Sequence, residues 1–380
     1  MEYWFLFRSC VVSAIVNAVR PSPRAVESIV VFKLDHLGDL LTAVPALFAL
    51  RARYPEAQVT LVVGRWCADF ARDVLPVDYV AVYDSPAFDR EAETRGGGDA
   101  DALRSVLPGS FDIAYGLRDD SATLAFVLAG GCRCRHDRGT VRLADRARRM
   151  MAVLVGRGDP GPLSERETNL RTVGAGEGEV PDGPLIRPRP DMTERVRADI
   201  KELVGESTSP LVVMHPGAAW EHKRWPVELH AELAGRLTRD LGATVFVTGS
   251  NSERELAERV MTRGARGRVV AGEYDLLLLA ALLELADVYV GADTGITHLA
   301  TLVGTPTVVL FGPGDPRRFG PPRASDVVVY HRQDCSPCSQ TTCDRDSACM
   351  RAITVDEVEA AVRRFLDVRG GAAAEDGENP

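Results

Sequence analysis

The feature that most constrains the fold is an alternation of short β-branched runs with helical patterns, which occurs twice along the 380-residue chain. Ser28–Leu34 is apolar and rich in β-branched residues, as is typical of a buried parallel strand, and helical spacing follows from Leu40 to Tyr54. A second series begins with the similar run Leu211–His215. Because a strand, a helix and a parallel strand form a right-handed crossover unit, the sequence predicts an α/β protein with two Rossmann-like, doubly wound domains.

Turn-forming and apolar residues divide the chain further. The stretch 174–190 is rich in Gly, Pro and Glu and predicts a linker. The predicted organisation is an N-terminal extension (1–27), a first Rossmann-like domain (28–180), a linker region (181–208), a second Rossmann-like domain (209–368) and a disordered tail (369–380). In the predicted arrangement the two domains face a cleft, where the carboxyl ends of the strands bind ligands, and an amphipathic helix at 355–368 closes the fold.

The overall charge excludes one class of partner. A net charge of −9 argues against general nucleic-acid binding, which needs a positive field. Locally the balance differs, because the stretch from Arg133 to Arg157 carries eight arginines against two aspartates and predicts a basic face. No apolar run is long enough to span a bilayer. We therefore expect a cytosolic protein.

The N-terminal extension is apolar, with Tyr3-Trp4-Phe5-Leu6-Phe7 near its start. A signal peptide carries its positive charge before the apolar segment, whereas Arg8 and Arg20 interrupt and follow it here. The pattern favours an amphipathic helix, either packed on the body of the protein or resting on the cytoplasmic face of a membrane.

The first candidate site is the loop that follows the predicted strand 28–34. Gly38 would allow a tight turn, and Asp39 would stand at or near the start of the next helix. Asp39 either caps that helix or provides a carboxylate that accepts a proton from a substrate hydroxyl.

Strand-end loops of the second domain form the other candidate site. Gly217, Ala218 and Ala219 would let a phosphate approach backbone N–H groups, and Lys223 and Arg224 would supply positive charge. The alternative for the basic pair is a solvated surface.

The helix that begins near Gly295 offers free N–H groups and a positive dipole end to a diphosphate. Asp293 either contacts sugar hydroxyls or only caps the helix, and His298 is by default a packed histidine. Glu253 either binds a ribose diol or is a first-turn helix charge. Together these loops predict a nucleotide-diphosphate site, and because G-x-G-x-x-G is absent, a dehydrogenase has no support.

Taken in order, these segments resemble glycosyltransferase family 9, the ADP-heptose:lipopolysaccharide heptosyltransferases. The motifs that carry the resemblance are Lys-Leu-Asp-His-Leu-Gly-Asp-Leu-Leu, His-Pro-Gly-Ala-Ala with Lys-Arg-Trp-Pro, Asp-Thr-Gly-Ile-Thr-His-Leu-Ala, Phe-Gly-Pro-Gly-Asp-Pro and Cys-Ser-Pro-Cys. The resemblance extends from about Ser28 to Val368. It implies the GT-B arrangement and metal-independent, inverting transfer of a heptose or similar sugar from an ADP-activated donor to a lipopolysaccharide-core or related glycolipid acceptor.

The resemblance also assigns roles to residues. It implies that Asp39 is the catalytic base and that Lys223 offsets charge on the leaving diphosphate. Near the donor it places Asp293, Thr294, Gly295, His298, Glu253 (toward the ribose) and Tyr274 (against the adenine). Ala218 and Ala219 replace hydroxyl residues of some relatives, so phosphate contact would rely on backbone N–H groups.

Acceptor recognition belongs to the N-terminal domain. Besides Gly38, the candidates are Arg118, Arg133 and Arg135, which would bind an anionic acceptor unless they form a solvated basic face. A sugar-nucleotide epimerase of the same architecture and a non-catalytic nucleotide-sugar-binding protein remain alternatives.

Four cysteines, Cys335, Cys338, Cys343 and Cys349, lie close together in sequence and would suit a structural zinc ion. Reduced thiols or a disulfide are the other interpretations. The transfer chemistry requires no cofactor, and the sequence does not define the oligomeric state.

Overall fold

The computed structural model describes residues 2–20, 25–88, 98–107, 109–118, 120–205, 209–338 and 342–375, with side-chain surroundings from residue 7 to residue 367 within these ranges. The chain divides into two units, residues 1–185 and 186–380. The boundary falls inside the predicted linker region, and each unit contains one parallel sheet in the part of the chain described.

The first unit has a five-stranded parallel sheet in the order β3-β2-β1-β4-β5. Its strands are β1 (Ser28–Lys33), β2 (Gln58–Val63), β3 (Tyr79–Val82), β4 (Phe111–Arg118) and β5 (Cys132–Asp137). The strand β1 is central and buried along almost its whole length, as its apolar, β-branched sequence predicts. The polar sequence of β5 gave no strand prediction, and β5 forms the edge of the sheet.

Helices flank this sheet. They are α1 (Glu2–Val19), α2 (Leu37–Arg53), α3 (Arg65–Val74), α4 (Ala100–Val106), α5 (Ser121–Phe126), α6 (Arg138–Leu154) and α7 (Glu165–Thr172). A π-helical turn, Val127–Gly131, follows α5. Of these, α2 matches the predicted helix closely, whereas the arginine-rich α6 was not predicted.

The N-terminal helix α1 is part of the first unit. Val12 and Val16 are buried in its core, and Ser13 donates a hydrogen bond to Asp137 at the end of β5. Asn17 exchanges two hydrogen bonds with the backbone of Arg135. These contacts confirm the packed alternative for the N-terminal extension and join it to the edge strand.

Truncating the buried side of α1 should therefore destabilise the unit. We expect Val16→Ala to lower the free energy of unfolding by about 2 kcal/mol, because Val16 is 1% exposed. Val11 on the same helix is 39% exposed, so Val11→Ala should cost less than about 0.5 kcal/mol. Urea denaturation of both variants checks this, and equal losses would contradict the packing of α1.

The second unit has a six-stranded parallel sheet in the order β11-β10-β9-β6-β7-β8. Its strands are β6 (Leu211–His215), β7 (Thr244–Val247), β8 (Gly267–Val269), β9 (Val288–Ala292), β10 (Thr307–Phe311) and β11 (Val327–Tyr330). The short apolar runs 211–215, 244–248, 269–270, 288–291 and 307–311 predict β6 to β10 to within about two residues, whereas β11 was not predicted. The order reverses between β6 and β9, as in a dinucleotide-binding fold.

The helices of this unit are α8 (Pro190–Val204), α9 (Val227–Leu241), α10 (Arg254–Val260), α11 (Leu276–Leu285), α12 (Gly295–Val303), α13 (Pro316–Phe319), α14 (Ala348–Arg351) and α15 (Val355–Glu375). The linker predicted at 181–208 is wrong in part, because α8 occupies 190–204 and packs on α11. The helix α15 continues to Glu375, where a disordered tail was predicted from residue 369. Residues 376–380 of that tail lie outside the described residues.

The packing and the hydropathy of the described residues give two further observations. Trp225 is buried and donates a hydrogen bond from its Nε1 to the carbonyl of Ile353, which fixes the segment before α15 to the core. Within the ranges described, no helix combines the length and the apolar character needed to cross a lipid bilayer.

Candidate functional site

In the first unit, the carboxyl ends of β1 and β4 are neighbours at the point where the strand order reverses. Open parallel sheets bind ligands outside such a point. Asp39 lies there, in the first turn of α2, and is partly exposed. Its carboxylate has no hydrogen bond or ion pair with another residue of the described ranges, so this carboxylate can accept a proton from a substrate.

The start of α2 differs from the sequence prediction. The helix begins at Leu37, and its N-cap is His36. Asp39 is therefore not the N-cap, and Gly38 lies inside the first helical turn instead of forming a tight turn. This placement removes the alternative in which Asp39 only caps the helix.

A buried ion pair lies next to Asp39 in sequence and was not assigned a role. Lys33 Nζ is 3.0 Å from Asp35 Oδ2, and the two side chains are 1% and 7% exposed. Burial raises the pKa of Asp35, and the positive charge of Lys33 opposes that rise. Charged residues that interrupt an apolar run at the end of a strand were the signal available in the sequence.

The three arginines proposed for the acceptor have different positions. Arg118 ends β4, and its Nε lies 3.8 Å from Asp35 Oδ2 with the side chain 34% exposed, so it belongs to the candidate site. Arg133 is near the amino end of β5 and pairs with Asp112 at the start of β4, on the edge of the sheet opposite Asp39. Arg135 is fully buried beneath α1, where it donates to Ser9 and Ser13. The assignments of Arg133 and Arg135 to the acceptor site are therefore wrong.

In the second unit, the carboxyl ends of four neighbouring strands, β9, β6, β7 and β8, carry the predicted donor residues. The central contact joins two of these ends. Lys223 Nζ donates to Asp293 Oδ2 at 2.7 Å and to the Asp293 carbonyl at 2.9 Å. Asp293 is 6% exposed and Lys223 is 17% exposed. A mostly buried carboxylate thus orients an ammonium group at the rim of the sheet.

The N-terminus of α12 adjoins this pair. Its N-cap is Thr294, not Asp293, and no side chain caps the first turn. Gly295 is the first helical residue. The free N–H groups and the positive dipole end suit an anion such as a diphosphate. His298 Nε2 lies 4.0 Å from Asp293 Oδ1, and burial lowers the pKa of His298, so its ring is neutral near pH 7.

Glu253 follows β7 and faces the loop after β6. The N–H and the hydroxyl of Ser250 both donate to Glu253 Oε2 at 2.8 Å. Burial raises the pKa of Glu253, but His215 and these two hydrogen bonds outweigh it and lower the pKa. A Cβ added at Gly217 would lie 2.1 Å from Glu253 Oε1. Glycine at position 217 therefore leaves room for an ionised carboxylate, the form that accepts hydrogen bonds from a diol.

Arg224 and Tyr274 make contacts that the sequence did not indicate. Arg224 donates from Nε and Nη2 to the carbonyl of Ala218, at 3.1 and 2.9 Å, so it shapes the loop. Ala218 is buried, whereas Ala219 is exposed. Tyr274 donates from its hydroxyl to Asp199 of α8. Its predicted packing against adenine stays a prediction.

Residues 185–348 match the sequence profile of glycosyltransferase family 9 (heptosyltransferase). This segment, which is less than half of the 380-residue chain, is therefore similar to glycosyltransferase family 9. Lipopolysaccharide heptosyltransferase 1 of Pseudomonas aeruginosa is 32% identical over 160 residues, which are 42% of this chain and 45% of that protein. The chain spans about half the length of the curated lipopolysaccharide heptosyltransferases that it matches.

Solved structures extend the similarity to both units. A family 9 glycosyltransferase from Veillonella parvula has a TM-score of 0.70 at 21% identity. The alignment covers 91% of this chain and 99% of the Veillonella chain. The structure of Escherichia coli ADP-heptose lipopolysaccharide heptosyltransferase II has a TM-score of 0.64 at 20% identity. That alignment covers 90% of this chain and 99% of the Escherichia coli chain. These similarities confirm the predicted two-domain α/β GT-B fold class.

The cysteine segment adjoins the loop that carries Lys223, because Ser347 contacts His222. Cys335, Cys338, Cys343 and Cys349 line one small cavity together with His222. Cys335 and Cys338 are exposed, and Cys349 is buried. Even so, no three histidine, cysteine or acidic residues among those described are grouped to hold a metal ion. The described residues therefore do not support the predicted zinc site.

Proposed function

We propose that the protein is an inverting glycosyltransferase that moves a heptose, or a similar sugar, from an ADP-activated donor to a lipopolysaccharide-core or related surface-glycan acceptor. The observation that carries the proposal is the Lys223–Asp293 pair beside the uncapped N-terminus of α12. The names of the relatives, lipopolysaccharide heptosyltransferase 1 and ADP-heptose lipopolysaccharide heptosyltransferase II, supply the substrate class.

The donor would bind to the second unit. Its diphosphate would accept hydrogen bonds from the first N–H groups of α12 and from Lys223, which neutralises charge that develops on the leaving ADP. The ionised Glu253 would accept hydrogen bonds from the ribose hydroxyls. Neutral His298 would donate to, or accept from, the sugar without adding charge.

Asp39 would be the general base. Its carboxylate would take the proton of the acceptor hydroxyl as the hydroxyl oxygen attacks the anomeric carbon and the bond to the ADP oxygen breaks. Attack from the face opposite the leaving group inverts the anomeric configuration. Arg118 would bind an anionic group of the acceptor, because its guanidinium is partly exposed near the same loop.

The proposed reaction uses a sugar nucleotide and no further cofactor. Any zinc ion at the cysteine segment would be structural. The acceptor would be a glycolipid or oligosaccharide, and we place the protein in the cytosol with peripheral contact at the membrane. An epimerase is less well supported, because it would need an acid/base pair around the donor sugar, and the Asp293 carboxylate is already paired with Lys223.

Calorimetric titration with ADP, UDP, GDP and NAD, without metal, tests the donor class, followed by transfer from ADP-heptose. We expect selective binding of ADP. Preference for UDP or GDP would overturn the heptose assignment, and binding of none of them would overturn the proposal.

Gly217→Ala should weaken ADP binding, because the added Cβ would displace Glu253. The expected loss is about ten- to a hundredfold, the value of one or two hydrogen bonds to a charged group. Gly176→Ala is the matched control, since a Cβ there meets no heavy atom within 4 Å. If the two variants bind ADP equally well, Glu253 does not contribute to the donor site.

A further inference from the structure

The last turn of α6 exposes an unusual amount of apolar surface. Met150, Met151, Val153, Leu154 and Val155 are between 55% and 71% exposed. Only the first two residues of this helix, Arg138 and Gly139, are buried. Monomeric soluble proteins rarely expose a contiguous apolar patch of this kind unless it is an interaction site.

The outer face of α1 is also apolar. Phe7, Val11, Ile15 and Val19 follow one another at intervals of one helical turn and are 55%, 39%, 48% and 71% exposed. The opposite face of α1 packs on β5. The helix therefore exposes an apolar stripe to solvent, although its opposite face already packs on β5.

The two helices pack on one another in the first unit. Asp137 is the N-cap of α6, and both Cys10 and Ser13 of α1 contact its carboxylate. Because β5 ends at Asp137, α6 starts at the carboxyl edge of the sheet, the edge that carries Asp39. We name the exposed residues of α1 (7, 11, 15, 19) and of α6 (150, 151, 153–155) the α1/α6 surface.

Arginines accompany the apolar residues of α6. Residues 138–157 contain six arginines, and Asp145, Asp159 and Glu165 are acidic partners of four of them. This segment is thus positive in a chain whose net charge is −9. Arg146 and Arg157 are exposed near the apolar turn. Apolar residues flanked by arginine are typical of helices that lie in the headgroup region of a bilayer.

We propose that the α1/α6 surface docks on an anionic lipid bilayer. Charge favours this occupant over a second copy of the chain, because self-association through this face would bring two arginine-rich helices together, whereas anionic headgroups attract them. The inference rests on the proposed function only in that a glycolipid acceptor would be presented at the same bilayer.

Co-sedimentation of the full chain with phosphatidylcholine vesicles, with and without phosphatidylglycerol, tests the proposal. We expect binding that requires phosphatidylglycerol and falls with added salt. The double variant Met150→Gln/Leu154→Gln should bind the phosphatidylglycerol-containing vesicles with an affinity at least about tenfold lower. The double variant Arg146→Gln/Arg157→Gln should bind the same vesicles with roughly tenfold lower affinity. Leu203→Gln, at an exposed apolar residue of α8 in the other unit, is the matched control and should bind like the unchanged protein.

Absence of phosphatidylglycerol-dependent binding would overturn the proposal, as would unchanged binding of both double variants. Light scattering after size exclusion addresses the rival occupant: an oligomer that Met150→Gln/Leu154→Gln disperses would assign the surface to a second copy. ADP titration of the same preparations separates this proposal from the proposed function. Vesicle binding without ADP binding would support the α1/α6 surface and contradict the proposed donor site. ADP binding without vesicle binding would support the donor site and contradict the α1/α6 surface.

Discussion

Replacing Asp39 by asparagine is expected to slow glycosyl transfer by about 10²–10⁴-fold, the usual contribution of a general base, while ADP affinity stays unchanged. Asparagine has nearly the same shape but cannot take the proton of the acceptor hydroxyl. Because the Asp39 carboxylate makes no hydrogen bond or ion pair with another described residue, the substitution should leave the fold intact. Initial rates with ADP-heptose, together with thermal unfolding, measure both effects.

Asp69→Asn is a suitable control for this experiment. Asp69 is an exposed aspartate on α3 of the same unit, and its side chain is 95% exposed. Its replacement should change neither rate nor stability. If Asp39→Asn retains the unchanged rate, Asp39 is not the base, and Asp35 becomes the next carboxylate to test, although its pairing with Lys33 makes it the weaker candidate.

Lys223→Ala is expected to weaken ADP binding by roughly ten- to a hundredfold, because a charge-assisted hydrogen bond to phosphate is worth about 1.5–3 kcal/mol. The substitution also leaves Asp293, which is 6% exposed, without its counter-ion. A negative carboxylate beside the phosphate would add repulsion to the lost contact. Calorimetric titration with ADP gives the affinity, and thermal unfolding reports the cost to the fold.

The double variant Lys223→Ala/Asp293→Asn separates these two effects. Asparagine removes the unpaired charge, so stability should return toward that of the unchanged protein. ADP affinity should remain low if Lys223 itself contacts the phosphate. Recovery of ADP affinity in the double variant would show instead that Lys223 serves only to neutralise Asp293.

Local sequence was enough to predict most of the sheet strands, because apolar, β-branched runs between turn residues have few other interpretations. It failed at β5 and α6, which are polar or arginine-rich. The edge strand β5 exists because α1, more than a hundred residues away in sequence, covers it. A pattern within a short window contains no information about such a partner.

The candidate site shows the same division. Asp39, Lys223 and Asp293 could be chosen from strand-end loops because the carboxyl ends of parallel strands collect functional groups. Their pairing could not be predicted, since Lys223 and Asp293 are joined only through the order of strands β6 and β9. Arg135 was misassigned for the related reason that its burial depends on α1.

The attachment of α1 to β5 has a consequence for where the functional protein begins. The family motifs start near Ser28, so a shortened chain beginning there would retain every residue assigned to the donor and to the base. It would nevertheless expose Arg135, which lies buried under Ser9 and Ser13, and would remove Arg20, which donates to the carbonyls of Val127, Leu128 and Cys132. The residues assigned to the proposed chemistry therefore belong to a unit whose packing depends on a segment that contains none of them.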